Sequence, residues 1–306
     1  MVALTQFEGD HPLLRLFPAL REIDARATET KLVVAACATA VTLATFLLSY
    51  LVSFNLPVFR ALKTKEKVFW CLSVVRSAFG AVIVVLSGWY WVMDPTLSQD
   101  VVKATTQTSF LTASIIVGFF VFEVTALAIS DIVFRTFDPA LFAHHWLCLV
   151  GCSTMCLYYE IGHFFGIQGV MLEMTTPFSC LCWVLLKSKM ARTTLWKCNQ
   201  LFLIHLFHMR TIIEGYMLLM TYRQWDSVMA NMPVVVFVLL YTQVVLQFVW
   251  LTPYWTYKKT SQFFNPIDFN QSTAEKGTKG AYRGKEGMEH RADKRNDIVS
   301  LHIKGS

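Results

Sequence analysis

Two histidines, His144 and His145, stand side by side in the otherwise apolar run FAHHWLCLVG. A neutral imidazole in a low-dielectric site is a general base whose pKa an acidic neighbour can tune towards 7. It could deprotonate a hydroxyl or amine attacking an activated acyl group, or carry the acyl group itself. Adjacent residues on a helix point about 100° apart, so one imidazole is read as reactive and the other as orienting or structural. His145 is assigned the first role and His144 the second. The plainer reading is a histidine bonded to a backbone carbonyl in a bundle core. Other apolar stretches carry polar groups too: Arg76, Glu123, Glu173, Asn199, His205, His208, Arg210 and Glu214. In a membrane helix each ionisable one costs roughly 2.5–3.5 kcal/mol, which predicts a buried polar chamber.

Roles follow from spacing. Glu173, four residues before Pro177, is predicted to orient a histidine beside a kink. His205 and His208 share a helix face at i,i+3, and Arg210 and Glu214 can pair at i,i+4. His205, His208, Arg210 and Asn199 are read as holding an acceptor or its phosphate. Arg76, Glu123 and Glu214 are read as structural polar groups. Histidines with glutamates also suit zinc or di-iron, but no HExxH is present, and no metal or bound cofactor is expected. Cys148, Cys152 and Cys156 form a stripe at i,i+4, read as a close helix approach rather than a thiol carrier.

The elements that must position these groups are membrane helices. The 306 residues are 55% hydrophobic and only 16% charged, whereas soluble domains run near 25% charged. Seven stretches meet the ~20-residue length of a bilayer core, at about 32–54, 68–92, 109–129, 139–158, 163–186, 195–222 and 233–251. The first is read as an uncleaved signal-anchor, since no signal peptide precedes it. Residues 1–31 are expected to lie at the interface, with a juxtamembrane helix after Thr252 that breaks at Pro266. Residues 263–306 are read as a disordered basic tail. The net charge of +6 sits in connections and this tail, which argues against nucleic acid.

Charge also sets a topology. Arg60, Lys63, Lys65, Lys67, Arg135, Lys187, Lys189 and Arg192 fall in connections on one side, against Lys103 and Arg223 on the other. By the positive-inside rule the C-terminus is cytosolic and the N-terminus lumenal. The sequon at Asn270 is then cytosolic and silent.

The runs KEKVFWCLSVVRSAFG, GFFVFEVTALAISDIVFRTFD, the His144–His145 pair, MLEMTTPFSCLCWVLLK, LWKCNQLFLIHLFHMR and PYWTYKKTSQFFNPIDFN resemble the TLC-domain family, which includes the ceramide synthases. The resemblance covers about Arg60 to Asn270. It implies an all-α fold, a six-helix bundle over residues 60–262 preceded by one extra helix, resident in the endoplasmic reticulum and its Golgi intermediate. It implies acyl transfer from acyl-CoA to a lysophospholipid, lysophosphatidylglycerol being the specific expectation. It also implies a receptor role in exporting newly made lysosomal enzymes, with vesicle-coat proteins reading the tail. Where ceramide synthases place paired aspartates after their histidines, this chain has Leu172 and Thr175, which argues against N-acylation of a sphingoid base. The tail keeps Lys304 of a dilysine signal but has Ile303 before it.

Overall fold

The computed structural model describes residues 8–266. Residues to Phe263 form one compact unit, and of a second, Phe264–Ser306, only the first three residues are described. Among the described residues there is no strand. The long helices are α1 (Thr28–Ser53), α2 (Thr64–Val92), α3 (Gln107–Phe134), α4 (Pro139–Cys152), α5 (His163–Val170), α6 (Thr176–Lys187), α7 (Thr194–Arg223), α8 (Val234–Val245) and α9 (Thr252–Phe264). A π-helical stretch, Ser153–Tyr158, extends α4, and another, Leu246–Leu251, joins α8 to α9. Six stretches are long and apolar enough to cross a bilayer: α1, α2, α3, α4 with its extension, α5 with α6, and α8 through α9. Helix α7 has 30 residues, but its polar groups keep it out of that set. The protein is an all-α polytopic membrane protein, and its helices coincide with the seven predicted stretches.

Helix α3 is the central one and is mostly buried, whereas few residues of α1 are buried and it lies on the outside. Close approach of the two depends on Gly118, where a Cβ would fall 2.3 Å from the Ala35 carbonyl oxygen. Thr39 spans the crossing, donating from Oγ1 to the Gly118 carbonyl at 2.8 Å. Small residues let membrane helices meet in this way.

The described part of the stretch predicted as interfacial, from residue 8 on, folds back on the bundle. His11, Leu13 and Leu14 are buried, while Leu16 and Phe17 stay exposed. His11 meets the Leu86 carbonyl through Nε2 at 3.2 Å and caps Pro12–Leu16 by accepting from the Leu13 N–H. The sequon at Asn270, Lys304 and most of the tail lie outside the described residues.

Local sequence explains the ends that matter. Asp138 accepts from the Ala140 and Leu141 N–H groups at 3.1 Å, with Pro139 opening α4. This N-cap fixes the start of the histidine helix, and Pro loses nothing there. Pro177 breaks the next span in a definite way. It has no N–H for the Glu173 carbonyl four residues back, and that carbonyl instead accepts from Thr176 within the 3₁₀ segment Met171–Thr175. Glu173 therefore sits in the break between α5 and α6. Helix α2 approaches it at Gly80, where a Cβ would lie 3.0 Å from the Glu173 carbonyl oxygen.

Candidate functional site: a histidine-walled cavity

The two histidines face different surroundings, as their helical offset requires. Their rings are 5.1 Å apart and tilted by 51°. His145 turns towards Glu123 of α3, with Nδ1 3.4 Å from Oε1. Arg76 of α2 donates from Nε to the same oxygen at 2.8 Å, and its Nη2 also meets it. Arg76 and Glu123 thus tie α2 to α3, and His145 of α4 lies beside the pair with its Nδ1 buried without a hydrogen bond. Glu123 is fully buried, so removing one partner would strand a charge at a cost of about 3–5 kcal/mol.

His144 instead lines a cavity with roughly 840 Å³ of empty space, counting its open mouth. Most of the wall is apolar, with Phe120, Met155, Phe165, Met217 and Leu240 among it. The polar part consists of His144, Glu173, Arg210, Glu214, Gln243 and Gln247. Gln243 and Gln247 each bring Nε2 to 2.8 Å from Nδ1 of His144. Gln247 is oriented from behind, because its Oε1 accepts from Nη2 of Arg210 at 3.0 Å. Its amide N–H therefore points at the imidazole, which makes Nδ1 the acceptor and leaves the proton of the neutral ring on Nε2.

Arg210 is buried and bonds neutral groups. Besides Gln247 it donates from Nη1 to Thr175 Oγ1 at 3.2 Å, and Trp255 stacks against it at 5.4 Å. The expected bridge to Glu214 does not form. Glu214 accepts instead from Thr252 Oγ1 at 2.6 Å, and among the described residues Arg210 makes no salt bridge. Nε of Arg210, Oε2 of Glu214 and Oε1 of Gln243 are buried without a hydrogen-bond partner. Glu173 lines the cavity and accepts from Thr176 Oγ1 at 2.6 Å.

Of the residues singled out in the sequence, the structure brings His144, Glu173, Arg210 and Glu214 together on the cavity and sets His145, Arg76 and Glu123 behind it. Three lie elsewhere. His205 and His208 share a face, as their spacing requires, but that face is exposed, and Nδ1 of His205 bonds the Leu201 carbonyl at 2.8 Å. Asn199 is buried and donates to the Phe178 carbonyl at 2.9 Å, away from the cavity. These three, expected to hold an acceptor, do not line the cavity. Sequence reasoning missed Gln243 and Gln247, whose i,i+4 spacing in an apolar helix was the available signal. Cys148 also lines the cavity, with Sγ 3.7 Å from His144 Nδ1. Among the described residues no three His, Cys, Asp or Glu side chains converge as a metal site.

The TLC domain model matches residues 65–256. Protein CLN8 of Homo sapiens is 34% identical over 212 residues, which are 69% of this chain and 74% of that protein. Protein CLN8 of Rattus norvegicus shows the same identity and coverage, and that of Canis lupus familiaris is 33% identical over the same shares. No solved structure matches. With the family model matching residues 65–256 and these relatives 33–34% identical, the chain belongs to the TLC-domain family.

Proposed function

We propose that this protein is an acyltransferase of the endoplasmic-reticulum membrane that moves an acyl group from acyl-CoA to a lysophospholipid hydroxyl, lysophosphatidylglycerol being the named acceptor. The observation that carries the reading is His144, held in one tautomer by Gln247 on the wall of a largely apolar cavity beside Arg210. His144, rather than the His145 favoured by sequence, is then the reacting imidazole. The acceptor hydroxyl displaces Gln243 from Nδ1 and gives its proton there as its oxygen attacks the thioester carbonyl. The carbon–sulfur bond breaks, and the proton passes to the leaving thiolate, so acyl-CoA and alcohol become ester and free CoA. Arg210 faces the acceptor phosphate or the developing oxyanion. His145 packs beside Glu123, behind the cavity. The charge distribution of the loops supports a lumenal N-terminus and a cytosolic C-terminus.

The test is acyl transfer by purified protein in lipid, with labelled acyl-CoA and both lysophosphatidylglycerol and a sphingoid base as acceptors. Wild type is expected to acylate the lysophospholipid, and His144→Ala of matched thermal stability to lose that activity. No product from well-folded wild type would overturn the reading. The cavity would then be a lipid-binding or structural site, and export of newly made lysosomal enzymes the leading role.

A further inference from the structure

Two glycines on the cavity wall have no packing reason to be glycine. Gly151 lies in the helical stretch Pro139–Tyr158 and Gly169 in His163–Lys187, where glycine destabilises relative to alanine. Elsewhere a missing side chain is explained by close approach: a Cβ on Gly118 would meet Ala35 at 2.3 Å, and one on Gly166 would meet Sγ of Cys156 at 2.8 Å. A Cβ on Gly151 or Gly169 would meet nothing within 4 Å, and both residues line the cavity. What their lack of a side chain preserves is room inside it.

The position of that room is informative. Gly151 is seven residues after His144, on the same face of α4 and about 10 Å further along the axis. Gly169 is one turn before Glu173. The polar wall of His144, Arg210 and Glu214 includes a buried guanidinium and a buried carboxylate that each keep one unpartnered atom. Met155, further along α4, is part of the apolar wall. An occupant matching this arrangement is an amphiphile with its reactive head at His144 and its hydrocarbon chain running past Gly151.

We propose that Gly151 and Gly169 set the length and bulk of the acyl chain the cavity admits, which makes them specificity-determining residues. The inference rests on the acyl-transfer reading for the identity of the head, but the chain-binding claim can be tested without catalysis. A Cβ at these positions enters open space, so a side chain can start into the cavity there without its first carbon forcing the helices apart.

The experiment is binding of octanoyl-CoA and palmitoyl-CoA to the purified full chain in nanodiscs, with thermal unfolding measured in parallel. Gly151→Leu and Gly169→Leu are compared with Gly215→Leu, a helical glycine that also meets nothing within 4 Å but does not line the cavity. The expected result is palmitoyl-CoA affinity reduced by about tenfold or more in the first two, the equivalent of about two buried methylenes. Octanoyl-CoA affinity should be unchanged and unfolding temperature unchanged or raised, and Gly215→Leu should match wild type in both affinities. Equal loss for both chain lengths, no loss in a stable variant, or no palmitoyl-CoA binding by wild type would overturn the proposal. Chain-selective binding by a wild type that makes no ester would uphold it while removing the acyl-transfer reading.

Discussion

Gln247 donates to Nδ1 of His144 at 2.8 Å while its own carbonyl oxygen holds Arg210 at 3.0 Å. One amide thus fixes both the tautomer of the imidazole and the position of the guanidinium. Gln247→Leu removes the acceptor that holds Arg210 and leaves Gln243 as the amide on Nδ1 of His144. The expected outcome is a fall in acyl transfer of about 10²-fold, with about 1–3 kcal/mol of stability lost because a buried guanidinium N–H loses its acceptor. Gln247→Glu places an acceptor against Nδ1 and should be similarly inactive even though it can pair with Arg210. Rates and melting curves for the two variants check this, and an active Gln247→Glu enzyme would show that the tautomer is immaterial.

Arg76, Glu123 and His145 are expected to act on stability first. Arg76→Ala or Glu123→Ala leaves a charge buried between α2 and α3, at a cost of about 3–5 kcal/mol. An apolar pair, Arg76→Met with Glu123→Leu, should recover much of that loss, because both charges go together. Thermal unfolding in detergent of Arg76→Met, Glu123→Leu and their double variant forms the cycle. Additive losses would mean that the pair is not coupled.

Gly118 is the tightest crossing described. Its Cβ position is 2.3 Å from the Ala35 carbonyl oxygen and 2.7 Å from the Ala38 Cβ. Backbone cannot yield as a flexible side chain would, so Gly118→Ala must push α1 away from α3, at a cost of about 1–3 kcal/mol. Helix α1 lies outside the span matched by the family model, residues 65–256. The loss should therefore appear as earlier detachment of α1, read by protease cleavage in the connection after Ser53. Gly80→Ala, 3.0 Å from the Glu173 carbonyl, is expected to disturb the cavity wall instead.

The membrane helices were legible because apolar length, positive connections and capping residues such as Asp138 and Pro139 all mark the same boundaries. The break at Glu173 was legible through Pro177, although the distortion precedes the proline as a 3₁₀ segment rather than following Glu173 by a turn. The direction of each helix face was not. Spacing places His205 and His208 together but cannot say that their face is exposed. Likewise, Arg210 and Glu214 at i,i+4 are able to pair, yet Gln247, Thr175 and Thr252 from other elements take their hydrogen bonds. Gln243 and Gln247 escaped notice because an uncharged amide costs a membrane helix less than an ion and leaves little trace in hydropathy.

His11 provides a pH-dependent anchor for the N-terminal segment. Burial lowers its pKa to about 4, against the opposing pull of the Leu86 carbonyl and of Asp94. Trp89 and Tyr90 pack on the ring. The folded pKa lies below the unfolded value of 6.5, so between about pH 4 and 6.5 the unfolded segment binds the extra proton. Stability contributed by His11 is complete above about pH 6.5 and falls as the pH drops towards 4, by a few kcal/mol in all. The expected outcome is faster proteolysis within residues 8–27 at pH 5 than at pH 7, with the membrane helices intact. His11→Phe keeps an aromatic ring in the pocket but cannot be protonated, and it should flatten that pH profile. A profile equally steep in His11→Phe would assign the effect to another group.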